Sequence, residues 1–65
     1  MDRYAYVRSL LVLNYIKHNK VASEAKVTPA CVARVLHGKT QSRPVKRVIA
    51  RMLKMKYAEV WGEAA

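Results

Sequence analysis

Acid is what this chain has least of. Four Asp and Glu stand against thirteen Lys and Arg in 65 residues, a net charge of +9. The four are Asp2, Glu24, Glu59 and Glu63, so the long stretch between Glu24 and Glu59 carries none. Acids this scattered offer no carboxylate pair for general acid–base chemistry. Cysteine is nearly absent too. Cys31 stands alone, which rules out an internal disulfide and suits a reducing cytosol. His18 and His37 have no second His, Cys or acid at ligand spacing, so no metal site is expected. There is no glycine-rich phosphate loop and no nucleophile paired with a base. Neither an enzyme nor a cofactor is expected. Long apolar runs are missing as well: Leu10-Leu11-Val12-Leu13 is far shorter than a secretory h-region and nowhere near the roughly 18 residues of a membrane span. The expectation is a soluble protein of the cytoplasm.

What is present points one way. Nine basic residues lie in the acid-free stretch: Lys26, Arg34, Lys39, Arg43, Lys46, Arg47, Arg51, Lys54 and Lys56. A solvated surface kept basic for solubility would mix both signs. A one-sided field suits a polyanion. Hydrophobic residues make up 52% of the chain, enough for a packed core and too many for a disordered tail. A single domain over residues 1–65 is expected. At this size folding buries only about 60% of the unfolded surface, so an additional apolar contact would help stability.

The organising segment is residues 21–38, VASEAKVTPACVARVLHG. Val21, Ala22 and Ala25 form a small apolar stripe of helical spacing, and Lys26-Val27 break it. Thr28 can then cap a second helix over 29–37, with Pro29 at the first position, where its missing N–H costs nothing. Val32, Val35 and Leu36 share the inner face. Gly38 stands where a left-handed closing residue is wanted. The outer face follows by arithmetic as Ala30, Ala33, Arg34 and His37, at 0, +3, +4 and +7. It is small, basic and bare of acid, so it can approach a duplex closely. Cys31 follows Ala30; a thiolate near cations is reactive, but a small reduced side chain is the simpler reading.

These residues resemble the helix-turn-helix of phage Cro and repressor proteins and their bacterial relatives. The matching run is Ala22-x-x-Ala25-x-Val27-Thr28-Pro29-x-x-Val32-x-Arg34-Val35-Leu36-x-Gly38. Gly38 through Pro44 is similar to the basic loop that those proteins lay along the DNA backbone. The end of the chain, Arg51 to Trp61, is similar to Ner-type phage regulators. The resemblance covers the chain from Val21 onward and departs from the pattern at Lys26, where the family often carries Gly. It implies an all-α, five-helix domain of the lambda-repressor type that binds double-stranded DNA. It also implies base contacts from Thr28, Pro29, Ala30, Ala33, Arg34 and His37. Arg34 is the strongest reader, since its fork can bond guanine O6 and N7. Backbone contacts are implied for Thr28, Lys39, Thr40, Gln41, Ser42 and Arg43, with Lys46 and Arg47 as further candidates.

Around this module, Asp2 can cap a first helix over residues 3–17. Its apolar surface, with Tyr6, Leu10 and Leu13 beside the stripe of Tyr4, Val7, Leu11 and Tyr15, is wider than one small domain needs. Either it is the central helix, buried on most sides, or Tyr6, Leu10 and Leu13 pair with a second subunit. Asn19 can cap the next helix. Pro44 opens a fourth, with Val45, Val48, Ile49, Met52 and Leu53 inward and Lys46, Arg47, Arg51 and Lys54 outward. Tyr57, Val60 and Trp61 form a last short helix ended by Gly62. The expected function is a sequence-specific transcriptional repressor or regulator of phage or prophage type. It would bind an inverted repeat as a homodimer, assembled only on DNA if need be, with no small-molecule effector. Two alternatives stand beside it. One is an architectural or excisionase-like recombination accessory protein; the other is an interaction module that binds an acidic partner.

Overall fold

The computed structural model describes residues 2–62, a five-helix all-α body of 24 × 23 × 20 Å. The helices are α1 (Arg3–Leu13), α2 (His18–Ala25), α3 (Pro29–Leu36), α4 (Arg43–Met52) and α5 (Tyr57–Trp61). Among the described residues there is no strand, and no helix is long and apolar enough to cross a membrane. Glu63 lies outside the described residues.

Three helix starts can be traced to a side chain. Asp2 Oδ1 accepts the Ala5 N–H at 2.7 Å and fixes the beginning of α1. Thr28 Oγ1 accepts the Cys31 N–H at 3.2 Å, with Pro29 in the first turn, as the sequence foretells. Glu59 Oε1 accepts the Lys56 N–H at 3.0 Å and closes the first turn of α5. Two starts differ from expectation. α2 begins one residue after Lys17, which stands at its N-cap without a side-chain bond, so Asn19 lies inside the helix. α4 begins at Arg43, with Ser42 before it and Pro44 within its first turn.

The ends of α1 to α4 share one design. After α1, the Ile16 N–H reaches the Leu11 carbonyl at 2.9 Å and the Tyr15 N–H reaches Val12 at 3.1 Å. This is the paired 6→1 and 5→2 closure of a Schellman turn, with Tyr15 in the left-handed region at φ 58. The same pair of bonds closes α2 from Val27 to Ala22 and Lys26 to Ser23, with Lys26 at φ 58. It closes α3 from Lys39 to Arg34 and Gly38 to Val35, and α4 from Met55 to Ala50 and Lys54 to Arg51. The first of these turns is why α1 stops at Leu13 and does not run on to residue 17. The helical register breaks at Asn14, whose side-chain amide donates to the Leu10 carbonyl at 2.8 Å.

The core gathers Val7 and Leu11 from α1, Val21 and Ala22 from α2, and Val32, Val35 and Leu36 from α3. Val45, Ile49 and Ala50 from α4, Leu53, and Val60 and Trp61 from α5 complete it. α2 packs against both α3 and α4, while α1 spans α3 and α5. Trp61 is the keystone of the second half. Its indole N–H donates to the Lys46 carbonyl at 3.0 Å, and its ring sits 6.4 Å from that of Tyr4 at a 58° tilt. Thirteen buried apolar side chains on a chain this short are the main source of its stability, each worth about 1.5–3 kcal/mol for a Val, Leu or Ile.

Candidate nucleic-acid interface

The α2–turn–α3 unit places the implied reading face at the surface. Val32, Val35 and Leu36 are fully buried and so fix the rotation of α3. With that face inward, Thr28, Pro29, Ala30, Arg34 and His37 are exposed and Ala33 is half-buried. The turn itself is built from Lys26, in the left-handed conformation, and Val27, half-buried against the core. Lys26 adopts it at a cost of about 1–2 kcal/mol for an L residue. Thr28 uses a lone pair for the cap and keeps its O–H proton to donate outward. Methyl groups are the only side chains at Ala30 and Ala33, so nothing bulky stands between Arg34 and a surface laid against the helix.

The C-terminal end of α3 is held by two residues that the pattern of the sequence did not reveal. Arg8 of α1 donates from Nη1 to the Leu36 carbonyl at 2.7 Å, a cation bonded to an otherwise free carbonyl at a helix C-terminus. Tyr4 packs its ring behind Gly38, so close that a Cβ there would lie 2.8 Å from the ring edge. Both contacts join residues about thirty positions apart, and a one-helix periodicity carries no signal for either.

Beyond Gly38 the loop runs out through Lys39, Thr40 and Gln41, all exposed, to half-buried Ser42 and exposed Arg43. Two of the implied backbone contacts are otherwise employed. Lys46 is a correction: it is only 4% exposed, with Nζ 2.7 Å from Gln41 Oε1 and 5.1 Å from the centre of the Trp61 ring. A lysine so placed is bonded inward and shielded by indole. Gln41 is the partner. Its backbone stays at the surface, but its side chain is spent between Lys46 and the Tyr4 hydroxyl, to which its amide donates at 3.3 Å. The chain Tyr4–Gln41–Lys46–Trp61 therefore pins the loop to the core. Arg47, one residue on, is exposed.

Among the described acids, Glu24 is held by cations of α2 and α4. It lies between Lys20 of its own helix at 4.0 Å and Arg51 of α4 at 3.8 Å, exposed pairs worth at most about 1 kcal/mol each. Arg51 is thereby turned toward α2. Lys26 in the turn, Arg34 on α3, Lys39 in the loop and Arg43 and Arg47 on α4 are exposed cations. Among the described residues, no three His, Cys, Asp or Glu side chains gather to hold a metal ion. Cys31 is a half-buried free thiol.

The expected subunit contact is divided. Tyr6 and Leu10 are half-buried and pack on the core, with the Arg3 guanidinium 5.4 Å over the Tyr6 ring. Leu13 is open to solvent, and its exposed neighbours are Val12 and Tyr15. No family model, curated protein or solved structure matches the chain.

Proposed function

We infer that this protein reads duplex DNA through α3 and acts as a small transcriptional repressor or regulator of the phage or prophage type, working in the cytoplasm. The observation that carries the reading is the outer face of α3. An exposed arginine stands in the last turn of a capped helix, after the two alanines of its outer face and before a basic loop anchored from behind. In the lambda-repressor-like arrangement this helix enters the major groove and Arg34 bonds guanine O6 and N7. Ala30 and Ala33 admit the helix and can touch a thymine methyl. Thr28, Lys39, Thr40 and Arg43, with Arg47, bond phosphates and set the register without reading sequence. Ser42 contributes through its backbone, and His37 lies at the far end of the reading face.

Two copies on an inverted repeat would place their α3 helices about 34 Å apart. With Lys46 turned inward, three loop and α4 cations per copy remain for phosphates: Lys39, Arg43 and Arg47. The slope of log K against log salt is then about −5 for two copies.

The test is selection from random duplex DNA at physiological salt, with the wild type and Arg34→Ala in parallel. The expected outcome is a symmetric motif with a guanine whose preference fades in the variant, at a cost of about 1–3 kcal/mol on the cognate site. Steeply salt-dependent binding without a motif would replace the reading with an architectural one. No binding to duplex would end it.

A further inference from the structure

On the side of α1 that α3 does not cover, three large apolar side chains stand in water. Val12 is 73% exposed, Leu13 72% and Tyr15 94%. Single exposed apolar groups need no explanation, but three within four residues form a patch. Val12 and Tyr15 flank an open hollow of about 710 Å³ floored by Leu11 and Ile16. Tyr15 also holds φ 58, a conformation that an aromatic residue rarely takes, with no packing of its ring to offset it. The left-handed backbone closes the turn after α1, and the ring that it carries is left in solvent.

The charges around the hollow decide what it fits. Arg8, Lys17 and His18 line it, and no acid stands among them. The acids of the described chain are engaged elsewhere: Asp2 caps α1, Glu24 pairs with Lys20 and Arg51, and Glu59 closes the first turn of α5. A second copy docked here face to face would set one basic rim against another. A segment with an apolar ridge and carboxylates along both sides would meet apolar with apolar and charge with countercharge. We propose that the Val12–Leu13–Tyr15 patch is a docking site for an acidic amphipathic helix of a partner protein. The apolar ridge lies in the hollow beside Tyr15, and a flanking carboxylate pairs with Lys17, the exposed cation of the rim. This surface is separate from the outer face of α3, so the proposal stands or falls independently of the DNA reading.

The experiment titrates the isotopically labelled full chain with a synthetic helix of about four turns, leucines at i, i+3, i+4, i+7 and glutamates on the flanks. A second peptide has lysines in place of the glutamates. Backbone amide shifts are followed by NMR, and Leu13→Ser is run beside the wild type after a thermal melt has shown it folded. The expected result is saturable shifts at Val12, Leu13, Tyr15 and Ile16 with the acidic peptide. Affinity should be at least about tenfold weaker for the lysine peptide, since like charge opposes it, and should fall similarly in Leu13→Ser. Equal binding of both peptides, or no shift at these residues, overturns the proposal. So does a concentration-dependent dimer in sedimentation that Leu13→Ser abolishes, which would give the patch to a second copy. Shifts at the patch with a DNA duplex and none with the peptide would assign it to nucleic acid and overturn it equally.

Discussion

The ends of α1 and α3 carry the same backbone turn and opposite surroundings. Both close through paired 6→1 and 5→2 bonds around a left-handed residue, Tyr15 at φ 58 in one and Gly38 at φ 73 in the other. Behind Gly38 lies the ring of Tyr4, 2.8 Å from where a Cβ would fall. Around Tyr15 lies water. The turn geometry alone therefore does not require glycine. It asks about 1–2 kcal/mol of any other residue, and the chain tolerates that at Tyr15, Lys26 and Lys54. Glycine is compulsory where a second helix presses against the turn. That place is also where the chain leaves the proposed reading helix for the basic loop.

The comparison can be broken at its tight end first. Gly38→Ala should cost the left-handed strain plus displacement of Tyr4, together at least about 2 kcal/mol. A melting temperature lower by roughly ten degrees or more would register it, given about 4–8 °C per kcal/mol in a domain of this size. An unchanged melt would mean that the Tyr4 ring yields freely. Lys46→Met probes the next layer of the same corner. It keeps the length and apolar stem over Trp61 while removing the bond that holds Gln41. Stability should change little, because loss of a buried cation offsets loss of its bond. DNA affinity should fall about tenfold, or 1.4 kcal/mol, with the salt slope unaltered because no phosphate contact is lost. A slope reduced by about one unit would instead place Lys46 on a phosphate.

The loose end gives smaller effects of opposite sign. Lys26→Gly should stabilise by about 1 kcal/mol, since the strain is relieved and no side-chain packing is forfeited. Tyr15→Gly should gain about as much, since in both variants the relieved strain is partly offset by the entropy that glycine adds to the unfolded chain. Chemical denaturation of the three proteins measures both. Destabilisation by either change would show that the side chain, and not the backbone, earns its position there.

Much of this was readable in advance. Asp2, Thr28, Pro29, Gly38 and Gly62 mark helix boundaries through local chemistry, and local chemistry survives into the fold. The inner face of α3 could be read because Val32, Val35 and Leu36 leave no second way to orient the helix. The end of α1 was not legible. Ile16 continues the apolar phase past Leu13, and a left-handed tyrosine gives none of the signal that a glycine would. The burial of Lys46 is illegible for a related reason. Lys46, Ala50 and Leu53 share a stripe at 0, +4 and +7, so the buried side of α4 is broader than its branched residues suggest. Only the arrival of Trp61 from another helix turns a lysine there inward. Contacts made across the whole chain, such as Arg8 to Leu36, write nothing into the spacing of either helix.

One of those distant contacts has a topological consequence. Arg3 at the start of α1 donates from Nη1 to the carbonyls of Glu59 and Val60 at 3.3 and 3.2 Å, so the first and last helices meet end to end. The helix order is thus nearly a closed ring, and where the ring is cut matters less than that it closes. A circular permutant joining position 62 to position 2 through a short glycine linker, and opened between Lys39 and Thr40, preserves every helix-to-helix packing. It frees only the segment that Gln41 and Gly38 hold. Such a molecule would keep its fold while its basic loop becomes a pair of loose ends, separating the architecture of this domain from the stiffness of its proposed grip.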